Sequence, residues 1–221
     1  MTPIISIITP TRGEETLFKL IKSINEQSVP WCHIIITDTS WMDSQLDPKS
    51  CFNEKIGNSI RYNIHIPFFT KKGIAPGSAL RSIALMAAQT EWITMADSDV
   101  WYENNHLESM ITHDKNWSYC KRRIWSPTTG ECLGIDNFES VGDESKVSYE
   151  MVDGCSMAYK QPYGASAAYL YRMTEDYNDD RLAYAHYKKY GGKPHKTNQV
   201  TVNQICPIKL ESMFRQFCTK E

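Results

Sequence analysis

The sequence has no long uninterrupted apolar run. No window reaches the length of a membrane span, and the N-terminus carries no basic leader with an extended apolar core, so the cytoplasm is the expected compartment. Cys-x-x-Cys pairs are missing as well. Cys32, Cys51, Cys120, Cys132, Cys155, Cys206 and Cys218 are scattered and odd in number, which signals neither a zinc site nor a disulfide framework and reads as reduced thiols. There is no Gly-x-Gly-x-x-Gly, no Walker-type phosphate loop, no repeat and no low-complexity tract. Nor is there an excess of positive charge. A net charge of −2 with no basic half argues against nucleic acid as a partner and for a small charged metabolite. Asn116-Trp117-Ser118 has the form of a glycosylation sequon, but without a secretory signal it reads as coincidence.

What is present is an alternation of strand-like and helix-like stretches in a chain of 221 residues, enough for one domain or two tightly joined halves. Residues 4–8 are a short β-branched run that stops at the turn chemistry of Thr9-Pro10-Thr11-Arg12-Gly13. Over residues 14–26, Leu17, Leu20, Ile21 and Ile24 recur at helical spacing behind Glu14 and Glu15, and residues 33–38 form a second strand ending at Asp38. Strand, helix and strand predict a parallel crossover. Residues 39–58 read as loop, 60–66 as a third strand and 71–77 as a basic loop. Ser78 is placed to cap a helix with Leu80, Ile83, Ala84 and Ala87 inside, and Asn104 or Asn105 to cap another with Leu107, Met110 and Ile111 on one side.

Beyond residue 116 the signal weakens. Residues 117–149 read equally as a substrate-facing lid or as surface loops, and residues 163–171, dominated by small residues, as a strand. A helix through Leu182, Ala185, Tyr187 and Lys189 is ended by Gly191-Gly192, followed by a short strand over 199–205 and a last helix over 210–217.

The chain is organised around residues 92–101. An apolar strand ends abruptly at Asp97-Ser98-Asp99, two carboxylates separated by one small polar residue. Carboxylates at the end of a strand can turn into a crevice and hold a hard cation, Mg²⁺ or Mn²⁺, that clamps a diphosphate; the competing reading is a solvated turn. Thr9, Asp38 and Asp97 all fall at carboxyl ends of expected parallel strands, the edge where open α/β sheets bind ligands.

These elements together resemble the GT-A nucleotide-sugar glycosyltransferases, most closely family 2. The resemblance runs from Ile4 to about Lys196 and rests on Ile7-Ile8-Thr9-Pro10-Thr11-Arg12, Asp38, Gly77-Ser78-Ala79-Leu80-Arg81, Ala96-Asp97-Ser98-Asp99 and Thr174-Glu175-Asp176. Two departures stand out: Thr37-Asp38 replaces a usual acidic pair, and Ser82 stands where an Asn usually follows the arginine. Small size and loop composition are also reminiscent of such domains from large DNA viruses. The fold this implies is α/β, a GT-A (Rossmann-like) central mixed, mostly parallel sheet flanked by helices. Residues 1–221 would form a single catalytic domain, with 1–101 as its nucleotide-binding half and 102–221 as its acceptor-side half.

The implied activity is metal-dependent, inverting transfer from a UDP-sugar to the hydroxyl of a glycan or other acceptor. By resemblance, Thr9, Pro10 and Arg12 line the base and ribose pocket, and Arg81 reaches the nucleotide or its phosphates. Asp38 accepts the uracil N3–H, which favours UDP over ADP and leaves GDP as the lesser option. Asp97 contacts the ribose, with Ser98 in the same turn, and Asp99 binds the Mn²⁺ or Mg²⁺. Asp176 is the general base, supported by Glu175. His195 is a further metal ligand, with His186 as rival, and Lys193 and Lys196 attract diphosphate. The alternatives are a nucleotide-sugar-binding domain without turnover, part of a larger protein, and a sugar-phosphate nucleotidyltransferase.

Overall fold

The first apolar run becomes a strand because it is buried on both faces, alternate residues supplying opposite cores. In the computed structural model, residues 2–38, 54–66, 76–171 and 179–220 are described, Asp38 and Pro76 by backbone alone. β1 (Ile5–Thr11) is followed by α1 (Leu17–Asn25) and then β2 (Trp31–Asp38), parallel to β1. β3 (Glu54–Ile56) is antiparallel to β4 (Ser59–Ile66), which is parallel to β2. After α2 (Pro76–Ala87), β5 (Trp92–Met95) lies parallel to β1 on its other side. Ile8, Ile34 and Ile36 face the core beneath α2, whereas Ile5, Ile7 and Ile35 face Leu17, Leu20 and Ile24 of α1.

The rest of the chain continues the same sheet. β6 (Val100–Tyr102) and α3 (His106–Ile111) precede β7 (Trp117–Trp125) and β8 (Cys132–Ile135). A 3₁₀ turn, Gly154–Ser156, leads into β9 (Met157–Lys160), which pairs antiparallel with both β5 and β7. α4 (Tyr163–Ala167), α5 (Asp179–Tyr190), β10 (His195–Ile205) and α6 (Glu211–Phe217) complete the order. The sheet runs β3-β4-β2-β1-β5-β9-β7-β10-β6, with β8 beside β7, and it is mixed, with a parallel half and flanking helices as expected. Among the described residues no helix is long and apolar enough to cross a membrane.

Four local expectations change, the first at residues 54–56, which are read as loop and pair as β3. Residues 117–125 are a strand in the interior of the sheet, not a lid or surface loop. Their Lys and Arg residues hide the pattern, because the Arg122 charge is satisfied inside the protein. Residues 163–171 form α4 and a 3₁₀ turn instead of a strand; their buried positions, Gly164, Ala167, Ala168, Leu170 and Tyr171, follow helical and not alternating spacing. Ser78 lies inside α2, where its hydroxyl donates to Asp179, instead of capping the helix.

Gly164 marks the closest approach of α4 to the sheet. A methyl group there would lie 2.8 Å from Ile93 Cδ1 and 2.8 Å from Tyr159 Cε2. Tyr159 is fixed by its stack on Tyr187, with ring centroids 4.3 Å apart. Gly164→Ala is expected to cost about 1–3 kcal/mol by overpacking, read as a lower midpoint in urea.

Candidate functional site

β1 and β5 lie side by side and end at the same edge of the sheet, so the turns after them face one crevice. Pro10, Arg12, Arg81, Asp97, Ser98 and Asp99 line it, together with Thr11, Glu14 and Gly77, around a volume of about 320 Å³. Glu14 ties its walls together. The Thr11 hydroxyl donates to Glu14 Oε2 at 2.7 Å and the Arg12 N–H at 3.1 Å, while Ser98 bonds the same carboxylate from the other side. Burial alone would raise the Glu14 pKa; these hydrogen bonds outweigh it and lower it. Glu14 was legible only as a helix-start residue, because its service as a bracket depends on a turn that is remote in sequence.

Arg81 reaches from α2 to Asp97 and donates to its carboxylate. Gly77 makes room for it: a Cβ there would lie 3.1 Å from Arg81 Nη1. Burial works against the Arg81 charge, and the carboxylates of Asp97 and Asp180 outweigh burial and raise its pKa. Asp99 is less well served. Its Oδ1 is buried with no hydrogen-bond partner. Burial, then the charges of Asp97 and Asp153, push its pKa up to about 7.

A second arginine, outside the crevice lining, holds the turn that contacts Asp97. Arg122, 2% exposed, donates through Nε to Asp136 (2.8 Å), through Nη2 to Glu139 (2.6 Å) and through Nη1 to Asp153 (2.7 Å) and Gln204 (2.6 Å). The other oxygen of Asp153 accepts the Cys155 N–H at 2.9 Å and so holds the Gly154–Ser156 turn. That turn touches two carboxylate residues: Cys155 Sγ accepts the Asp97 N–H at 3.2 Å, and the Gly154 N–H donates to Asp180. A Cβ on Gly154 would stand 2.8 Å from Asp180 Oδ1. Burial, followed by Asp153, raises the Asp180 pKa to about 7 against the opposing pull of Arg81.

Other expected site residues are placed elsewhere. Thr9 does not line the crevice: it is fully buried, 3.0 Å from His33 Nε2, because β1 runs on to Thr11. Asp38 is the last residue of β2, near the same edge of the sheet. Glu175 and Asp176 lie outside the described residues. His195 is not a ligand at Asp99. It opens β10, stacked on His113 at 4.4 Å, whereas Ile205 at the opposite end of that strand donates its N–H to Asp99 O at 3.2 Å. Those strand ends are separated by roughly 30 Å. Lys196 shares the far end and is bound to Asp143 at 2.7 Å, so Lys193 and Lys196 do not face the crevice. His186 is buried against Ser166, 2.9 Å away, and is a packing residue.

Among the described residues no group of three or more His, Cys, Asp or Glu side chains is arranged to hold a metal ion. Asp97 and Asp99 nonetheless fit one. The crowded carboxylates and the partnerless Asp99 Oδ1 are hard oxygen donors, and an Mg²⁺ on a nucleotide commonly takes its other ligands from phosphate and water.

Two outcomes follow from this electrostatics. The raised Asp99 pKa means that the unliganded protein loses stability as pH rises from about 4 to about 7. Asp99→Asn is expected to melt higher than wild type at pH 8, by about 2–4 °C per kcal/mol relieved, and to match it near pH 4. Arg122→Gln strands several buried carboxylates and is expected to cost about 3–5 kcal/mol, measured by chemical denaturation.

The fold has solved relatives. TarS of S. aureus, residues 1–349 in complex with UDP-GlcNAc, superposes with a TM-score of 0.65 at 15% identity, covering 92% of this chain and 59% of that one. The same protein in complex with UDP gives 0.62 at 14% identity, over 96% and 63%. This chain therefore spans less than two thirds of the TarS fragment it matches. No curated protein sequence matches it, and nothing in these matches points to a viral source. Residues 6–120, which carry β1, α1, α2 and the Asp97-Ser98-Asp99 turn, match the family described as Glycosyl transferase family 2, and the chain belongs to that family.

Proposed function

We propose that the chain transfers a sugar from a UDP-sugar to an acceptor hydroxyl, inverting the anomeric carbon, with Mg²⁺ or Mn²⁺ held at Asp99 and Asp97. The observation that carries this reading is the buried, partnerless Oδ1 of Asp99 at a crevice beyond the carboxyl ends of parallel strands. Similarity in fold to TarS in its complexes with UDP-GlcNAc and UDP supports UDP as the nucleotide. Asp38 supports it from residue type, since a carboxylate accepts the uracil N3–H and adenine offers no such donor. Pro10 and Arg12 line the nucleotide side. The cation would neutralise charge growing on the departing diphosphate.

The general base is assigned to Asp180 in place of Asp176. Asp180 touches the Gly154 turn, and the charge of Arg81, which binds Asp97, also acts on it. A carboxylate with a pKa of about 7 is a competent base near neutral pH. The acceptor oxygen bonds to the anomeric carbon as the bond from that carbon to the β-phosphate oxygen breaks. The hydroxyl proton goes to Asp180, and UDP leaves with the bonding electrons.

Calorimetry with UDP, GDP, CDP and ADP, with Mn²⁺ and with chelator, tests the donor site. UDP is expected to bind preferentially and with metal, and Asp99→Asn to lose the metal dependence; UDP binding indifferent to both would end the donor reading. Transfer or hydrolysis of a UDP-sugar is expected to rise with pH through about 7. Asp180→Asn is expected to lower it by about 10²–10⁴-fold while UDP still binds. If Asp176→Asn alone has that effect, the base is Asp176. Affinity without any turnover would identify a nucleotide-sugar-binding module.

A further inference from the structure

A second concavity runs along the solvent face of α5 and plays no part in the donor crevice. Two adjoining cavities of about 490 and 570 Å³ share Tyr184 and Lys188. The first lies between α5 and residues 149–150, beginning at Arg181, and the second continues past the end of the helix to Lys193 and Lys196. From Arg181 to Lys188 the helix alone spans roughly 10 Å, and the second cavity lengthens the groove beyond a single sugar ring.

Both walls are close in sequence to the proposed base and the turn that touches it. Arg181 is the residue after Asp180, and the opposite wall, Tyr149-Glu150, is followed within four residues by Gly154, whose N–H donates to Asp180. The Arg181 end of the groove therefore lies at the start of α5, the turn of helix that also carries Asp180.

The lining has a definite chemistry. Residues 181–196 contain Arg181, Lys188, Lys189, Lys193 and Lys196 and no acidic residue. The facing wall supplies Asp143, Glu144 and Glu150, which bind two of the five: Lys188 to Glu150, and Lys196 to Asp143 at 2.7 Å and Glu144 at 3.4 Å. Arg181 lies 4.8 Å over the ring of Tyr149, and Lys189 4.9 Å from the ring of Tyr190, neither on a carboxylate among the described residues. Lys193 is exposed and likewise has no acidic partner there. A half-open channel with aromatic rings beside cations that have no acidic partner among the described residues suits sugar rings that carry negative groups.

We propose that this groove binds the acceptor as an extended anionic glycan, its reacting hydroxyl at Asp180 and its acidic groups on Arg181, Lys189 and Lys193. The proposal rests on the glycosyl-transfer reading, and its test keeps the two apart. Binding of carboxylated, sulfated and neutral oligosaccharides of equal length, and of a single-stranded oligonucleotide, is measured by calorimetry in the presence of UDP and Mn²⁺. At least one anionic oligosaccharide is expected to bind, more weakly as salt rises, while the neutral one does not. Lys189→Glu with Lys193→Glu is expected to weaken that binding by about tenfold or more and to leave UDP affinity unchanged. The proposal is overturned if no anionic oligosaccharide binds, if the neutral one binds as well, if the oligonucleotide binds at least as tightly, or if the charge reversal has no effect. UDP binding in the same samples reports on the donor site separately: its loss removes the glycosyl-transfer reading, and its persistence without glycan binding removes only the groove.

Discussion

Four carboxylates, those of Asp97, Asp99, Asp153 and Asp180, crowd one end of the sheet, and their mutual repulsion is the constraint around which the molecule is built. Two arginines, Arg122 buried and Arg81 partly so, make it tolerable. Arg81 comes from a helix of the parallel half and serves Asp97 and Asp180; Arg122 comes from an interior strand of the other half and serves Asp153, Asp136 and Glu139. Neither leaves a donor for Asp99 Oδ1. A buried ionic cluster of this kind adds little net stability, because desolvation consumes most of the attraction. Its product is a specified arrangement in which one negative oxygen remains uncompensated where a cation and a diphosphate would arrive.

The division of labour follows from topology. Parallel strands β4, β2, β1 and β5 end together and furnish the nucleotide side, while β9 reverses direction and brings the Gly154 turn back to the same edge from the other half. Because β9 is hydrogen-bonded to both β5 and β7, the Asp97-Ser98-Asp99 turn and the turn held by Arg122 share one rigid sheet. Asp180, at the start of α5, adjoins that Gly154 turn, and the cavity along α5 begins at the next residue, Arg181.

Much of the parallel half was legible because its strands are continuous β-branched runs and its helices amphipathic, so burial and sequence pattern coincide. Of the crevice residues, Asp97 and Asp99 were legible at a strand end, whereas Pro10, Arg12 and Arg81 came from the resemblance to the family. The second half was harder for a physical reason: its strands carry charge inward. Arg122 reads as a surface residue until Asp136 and Asp153 are known to meet it, and those contacts bridge 14 and 31 residues of chain. His195 misled because a loop histidine following an acidic motif fits the family pattern, and only the register of β10 reveals that it opens the wrong end of the strand. Asp179 and Asp180 are acids at the start of a helix. Nothing local distinguished them from ordinary partners of the helix dipole.

The thiol of Cys155 lies within this arrangement, fully buried and accepting the Asp97 N–H. Burial and then the charges of Asp97 and Asp153 keep it protonated far above its ordinary range. Alkylating reagents attack thiolates, so it reacts only when the turn it belongs to swings out into water. Its labelling rate is therefore an internal clock for the breathing of the carboxylate cluster, readable without any substrate in hand.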